Sequence, residues 1–232
     1  MRLDKYLAQM GAGTRSDLKK AIRAGRVTVG GKKAKDAGMQ VTEADEICLD
    51  GRRIVYEAFV YYMLHKPAGV ISASRDAGER TVLDLIDEEK RKDLFPVGRL
   101  DRDTEGLLLI TNDGELAHRL LSPKSHVDKV YFARLDRPVG EEEKRLFAEG
   151  LTVDDTLTAM PARLEILDPP NEVMVTIREG KFHQIKRMFA AVGREVVYLK
   201  RLSMGPLHLD ERLPAGAYRR LTEEEESAIM GA

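Results

Sequence analysis

The chain is short of cysteine, of long apolar runs and of net charge, and each shortage excludes something. Cys48 is the one cysteine among 232 residues, so no disulfide can form within the chain and the small secreted scaffolds built on such bonds are excluded. A lone thiol fits a reducing compartment, and a cytoplasmic location is expected. No apolar stretch approaches the ~18–20 residues of a membrane span, and the opening MRLDKYLAQM lacks the apolar core of a signal peptide. A soluble protein without membrane partners is expected. With 43% hydrophobic and 33% charged residues the composition is neither disordered nor collagen-like. The length allows one large domain, or a small one beside a larger one.

Net charge is also nearly absent, because 38 Lys and Arg offset 39 Asp and Glu to leave −1. Spread evenly, that balance would argue against a polyanionic ligand, but it is not spread evenly. Residues 1–35 hold ten basic side chains (Arg2, Lys5, Arg15, Lys19, Lys20, Arg23, Arg26, Lys32, Lys33, Lys35) against Asp4 and Asp17, a net +8. The remaining 197 residues hold 28 basic and 37 acidic side chains, a net −9. A basic head on an acidic body suits a polyanion gripped at one end; it suits equally a solvated lysine-rich face with no ligand.

In the head, the spacing of Leu3, Leu7 and Met10 predicts a short helix ended by Gly11 and Gly13. Ser16 is expected to cap a second helix, DLKKAIRA, stopped by Gly25 as a left-handed terminator. Leu18 and Ile22 then point inward while Arg15, Lys19, Arg23 and Arg26 lie outside. RVTVGGKKAK predicts a hairpin with a Gly-Gly turn, followed by short strands near Met39–Val41 and Glu46–Leu49. The string from Arg2 to Gly51 resembles an S4 RNA-binding domain over its whole length. It has RLDK-LA, an Arg after a small hydroxylated residue, I-x-x-G-x-V-x-V-x-G and V-x-x-x-D-x-I in order. Gly30 stands where the family commonly has Asn, and Thr14 where Ser is common; neither should harm the turn or the helix. The resemblance implies a module that docks folded RNA through its phosphates, using Arg2, Lys5, Arg15, Lys19, Arg23 and Arg26, and does no chemistry.

Around Val55–Ala58 the pattern changes, giving expected domains at 1–55 and 59–232. Strands are predicted for Phe59–Leu64, a short stretch after Lys-Pro-x-Gly, LLLIT, KVYFARL, ARLEIL, EVMVTIRE and REVVYLKRLSMG. Helices are predicted near TVLDLIDEEKRK, NDGELAHRLL, GEEEKRLFAEG and KFHQIKRMFAAVG, with the acidic 223–226 run capping a last one. The mixture predicts an α+β fold with a mixed, mainly antiparallel sheet flanked by helices.

The densest polar cluster, VGRLDRDTEGLLLITNDG, sits between apolar strands, a favoured place for catalytic groups because the sheet fixes their positions. Asp101, Asp103 and Thr104 compete there with an ordinary Asx turn, and the D-x-D pair with a divalent metal site that lacks further obvious ligands. Lys129 and Tyr131, two apart on a strand, share a face. Lys181, His183, Lys186 and Arg187 are expected on one helix.

Taken together, HKPAGVISA, GRLDRDTEGLLLITNDG, the K-x-Y of KVY and REGKFHQIKRMFAAVGREVVYLKRLSMG resemble a pseudouridine synthase, specifically the ribosomal small-subunit group called RsuA. With the head, the resemblance covers residues 1–229. It implies Asp101 as the catalytic carboxylate, Tyr131 as the ring that stacks on the base, and Lys186 as the basic partner of the aspartate. Arg99 would help extrude the uridine, and Lys129, His183 and Arg187 would contact RNA. No cofactor, metal or obligatory protein partner is implied, since breaking N1–C1′ and joining C5 to C1′ involves no net redox change. The HQIKRM form resembles the small-subunit enzymes, whereas large-subunit relatives tend to carry arginine at position 186 and to lack the histidine. The implied substrate is uridine 516 of 16S rRNA, free or in a small-subunit assembly intermediate. Three alternatives stay open: a non-catalytic S4-bearing assembly factor, a synthase acting on 23S rRNA, and a glycosidase using Asp101 and Asp103 as its pair.

Overall fold

The computed structural model describes residues 1–87, 93–122 and 125–231. The chain divides into two compact units, one formed by Met1–Val60 and the other by Tyr61–Ile86 and the chain from Phe95 onward. In the first, α1 (Leu3–Gln9) and α2 (Arg15–Arg23) precede a sheet of β1 (Val27–Val29), β2 (Lys32–Lys33), β3 (Ile47–Leu49) and β4 (Arg52–Ile54), in the order β2-β1-β3-β4. Its core is built from Leu3, Leu7, Leu18, Ile22, Val27 and Ile47. The cap of α2 is Thr14 rather than Ser16: the helix begins earlier than expected, and the Thr14 hydroxyl accepts from Asp17 N–H at 3.2 Å. Gly30 and Gly31, at φ 55 and 75, make the hairpin turn that only such left-handed residues allow. The strand expected near Met39–Val41 is a single bridge between Arg2 and Gln40, and β4 was not foreseen.

The second unit is α+β, with one large mixed sheet. It comprises β5 (Tyr61–Lys66), β6 (Phe95–Pro96), β7 (Glu105–Thr111), β8 (Lys129–Leu135), β11 (Arg163–Ile166), β12 (Glu172–Ile177), β13 (Val196–Met204), β14 (Leu207–His208) and β15 (Tyr218–Arg220). The path runs β11-β12-β8-β13-β7-β5-β15, and among the described strands only β13 and β7 pair in parallel. A separate hairpin joins β9 (Leu151–Asp154) to β10 (Leu157–Ala159), which the sequence pattern did not announce. Helices α3 (Gly114–Leu121), α4 (Glu141–Glu149), α5 (Gln184–Ala191) and α6 (Glu223–Met230) complete the unit.

The central strands explain why this sheet is rigid. Every residue of β5 is buried, and β7 is buried from Gly106 to Thr111, the signature of strands covered on both faces. Leu107 and Leu109 enter one core with Met63, Val97, Leu116 and Leu120, each fully buried aliphatic chain contributing about 1.5–3 kcal/mol. Gly106 is obligatory where the chain enters β7, since a Cβ there would lie 2.2 Å from the Arg201 carbonyl oxygen. The close parallel approach of β7 and β13 therefore begins directly after the GRLDRDTE loop.

Two expectations shrink. The short strand after Lys-Pro-x-Gly is one bridge, Ile71 to Thr81. The helix near TVLDLIDEEKRK is a 3-10 turn at Val82–Leu85, and residues 88–92 of it lie outside the described set.

Candidate active site

The GRLD loop joins β6 to β7 and is gripped from below by residues 66–72. Buried Lys66 Nζ donates to the carbonyls of Thr104 at 2.8 Å, Pro67 at 3.1 Å and Arg102 at 3.3 Å. Gly69 N–H donates to Arg102 O at 2.8 Å. Ser72 Oγ donates to Leu100 O at 2.8 Å and accepts from Leu100 N–H at 3.0 Å, fixing the residue before Asp101 in both directions. Thus the HKPAGVIS segment, read from sequence as a strand and its breaker, is the cradle of the loop. Burial pushes the Lys66 ammonium down to about 8, against the opposing pull of Asp103, Asp101 and Glu105.

Facing the loop is the start of α5. The helix begins at Gln184, later than expected, so Lys181 and His183 precede it and only Lys186 and Arg187 ride on it. His183 holds a left-handed backbone, φ 49, uncommon for a residue with a Cβ. Gln184 secures that turn: its Nε2 donates to buried Glu179 at 2.8 Å, and its Oε1 accepts from Lys181 N–H at 3.0 Å. The result aims His183 Nε2 at Asp101 Oδ1, 3.6 Å away, and Lys186 Nζ at Asp101 Oδ2, 3.4 Å away.

Lys186 is closer still to Asp103, donating to its Oδ1 at 2.5 Å. Burial works to raise the Asp103 carboxyl, but the hydrogen bond and charge of Lys186 outweigh it and hold the group below the usual carboxylate range. One ammonium thus bridges both carboxylates of the D-x-D pair. The two differ in exposure: the Asp101 side chain is 25% exposed and that of Asp103 72%.

Tyr131 and Lys129 are both buried on the same face of β8. Tyr131 lies in register with Arg201, whose Nε donates to Leu107 O at 2.7 Å. Lys129 Nζ donates to Val127 O at 3.0 Å, and burial, with Arg201 adding to it, lowers its pKa. A small inner pocket of about 60 Å³ brings Asp101, Thr104, Tyr131 and Lys186 together. It adjoins an outer cleft of about 790 Å³ lined by Ser72, Arg99, Lys129 and Phe182, the two sharing Asp101 and His183. Among the described residues no three His, Cys, Asp or Glu side chains converge as a metal ion would require.

The remaining expected site residues sit elsewhere. Arg187 is held by Asp154 of β9 and by Thr156, and lines neither cavity. In the first unit, Arg2 pairs with Asp4 and Arg26 pairs with Asp50. Lys5, Arg15, Lys19 and Arg23 have no ion pair among the described residues, and Arg15, Lys19 and Arg23 follow one face of α2 at four-residue spacing.

The chain has relatives among known proteins. A model of the RNA pseudouridylate synthase family matches residues 60–191, and an S4 domain model matches residues 1–47. The chain belongs to the RNA pseudouridine synthases. It is 49% identical to an uncharacterized RNA pseudouridine synthase, YtzG, of Bacillus subtilis, over 97% of this chain and 96% of that one. It is 43% identical to the ribosomal small subunit pseudouridine synthase A of Pasteurella multocida, over 97% of each chain. A crystal structure of a pseudouridylate synthase superposes with a TM-score of 0.70 at 40% identity, covering 99% of both chains. The synthase is therefore an isomerase of RNA uridine, with an S4 domain at its N-terminus. Among its described residues no helix is long and apolar enough to cross a membrane.

Proposed function

We propose that this synthase isomerises one uridine of 16S rRNA, uridine 516 in the numbering implied by its resemblance, with Asp101 as the catalytic carboxylate. The observation that carries the reading is the convergence of Asp101, Lys186 and His183 at the mouth of the pocket that contains Tyr131. The target uridine leaves its stack at a cost of roughly a few kcal/mol, and the Tyr131 ring receives the base. Asp101 acts at the desolvated ribosyl-uracil unit while the Lys186 ammonium, 3.4 Å away, faces its carboxylate. The N1–C1′ bond breaks, the uracil turns, C5 bonds to C1′, and the C5 proton is lost as N1 gains one. The balance needs no cofactor and no metal.

Arg99 is exposed, lines both cavities and has no ion pair among the described residues, which suits it to occupy the space the extruded base leaves. Lys129 and His183 face the same cleft. The small-subunit name of the Pasteurella relative supports 16S rRNA, and the cations of residues 1–55 supply the docking contacts. The site of action is the cytoplasm, on free RNA or an assembly intermediate.

Mapping pseudouridine on 16S and 23S transcripts after incubation with purified protein tests this directly. Modification of a single 16S uridine is expected. Asp101→Asn should lose about 10⁴-fold or more in rate with the fold intact, as nucleophile or base removal does elsewhere. A 23S product would overturn the substrate, and an active Asp101→Asn variant the mechanism.

A further inference from the structure

Phe182 is the exception among the aromatics of the second unit. Phe182 is 68% exposed, although exposing an aromatic face to water is unfavourable and the rest of this loop is tightly hydrogen-bonded. It is also not free to turn away. The ring stacks nearly parallel on His183, with centroids 3.8 Å apart and planes 18° from coincidence. His183 in turn reaches Asp101 at 3.6 Å from a left-handed backbone. The Phe182 carbonyl accepts from Arg187 Nη1 at 3.3 Å, and Arg187 is itself anchored on Asp154. One face of a flat ring is thus backed by imidazole, and the ring lines the outer cleft along with Arg99 and Lys129.

We propose that Phe182 is a second stacking platform, which receives a nucleobase of the substrate RNA adjacent to the uridine held at Asp101. The inference rests on the proposed enzymatic reading and adds a subsite to it. Extruding a uridine breaks two stacking contacts in the RNA, one on each side of the vacated position; Arg99 entering that position covers the neighbour on one side, and the base on the other side is left in need of a stacking partner. The outer cleft has the room to hold that nucleotide, with Phe182 offering the ring. Backing by His183 makes the platform stiff, so little side-chain entropy is lost on binding. Stacking of this kind accepts any base, and it therefore strengthens binding without reading sequence.

The absence of tryptophan from the whole chain makes the test clean, because Phe182→Trp introduces the sole indole. On titration with a 16S transcript the emission of that variant should be quenched as the RNA binds. Heparin, a polyanion without bases, should leave it unquenched. Phe182→Ala and Phe182→Leu should both weaken single-turnover efficiency at least about fivefold, mainly through half-saturating RNA concentration, while Phe182→Trp and Phe182→Tyr retain it. Leucine keeps apolar bulk and loses the flat face, so a Phe182→Leu variant with wild-type efficiency overturns the proposal. So does indole emission from the Phe182→Trp variant that ignores RNA whose binding is seen by filter retention. Failure of the wild type to form any pseudouridine would instead sink the reading on which the subsite rests.

Discussion

Raising the pH should slow this enzyme through Lys66, a fully buried residue that lines neither cavity. Its ammonium is fully buried and uses its three hydrogens on the carbonyls of Pro67, Arg102 and Thr104, two of which flank Asp101 and Asp103. Burial brings its pKa from 10.5 to about 8. A neutral amine has two N–H groups for three acceptors, so deprotonation releases one carbonyl and removes the charge below the carboxylates. At pH 9, one unit above the folded value, about a tenth of the molecules retain the proton, and the single-turnover rate should fall roughly tenfold from pH 7. Stability should move the other way. The folded pKa is depressed, so between about 8 and 10.5 the unfolded chain binds more protons. The unfavourable contribution of Lys66, about 3 kcal/mol below pH 8, is relieved as pH rises through that window. In Lys66→Met the Arg102 carbonyl keeps Gly69 N–H, and those of Pro67 and Thr104 lose their donor at about 1–3 kcal/mol each. That loss is offset by removal of the buried charge, so urea unfolding should place the variant within about 3 kcal/mol of wild type while its rate is low and insensitive to pH from 7 to 9. Wild-type turnover by Lys66→Met at pH 7, or parallel pH profiles for the two proteins, would show that Lys66 does not control the loop.

Lys186→Met should reduce the rate far more than Asp103→Asn, which should stay within about fivefold of wild type, because an exposed ion pair is worth about 0–1 kcal/mol whereas the proposed mechanism pairs the Lys186 ammonium with Asp101. Comparing the two under single-turnover conditions decides this. Ser72→Ala removes both hydrogen bonds to Leu100, costs about 1–2 kcal/mol in urea unfolding, and should lower kcat more than it raises KM, since the loop and not the RNA surface is disturbed. Replacing both Lys19 and Arg23 by alanine should flatten the salt dependence of RNA binding by about 1.4 in log–log slope, at ~0.7 for each phosphate no longer neutralised. Arg26→Ala, whose guanidinium Asp50 already holds, should change that slope less; filter binding at graded salt measures both.

What could be read from the sequence was local. Period-two alternation put Lys129 and Tyr131 on one face of β8, and both are buried there. Gly25 and Gly193 mark helix ends because only a left-handed residue fits, at φ 71 in each case. The parts that escaped depend mostly on partners far along the chain. Lys66 donates across 36 and 38 residues, and nothing near it reveals that its ammonium faces three carbonyls. The one signal was its place just past the apolar run Phe59–Leu64, where a lysine continuing a doubly covered strand must find acceptors or lose its proton. Asp103 as the nearer partner of Lys186 spans 83 residues and follows from how α5 meets the loop. The left-handed turn at His183 follows from the Glu179–Gln184 contact, not from any turn-forming residue at that position. These contacts have a common effect, which is to hold in place the two chain segments that carry Asp101 and Lys186. Rigid positioning of this kind is set by hydrogen bonds between loops rather than by helix or strand periodicity, and so the residues proposed to react came from resemblance while the residues that hold them in place required the structure.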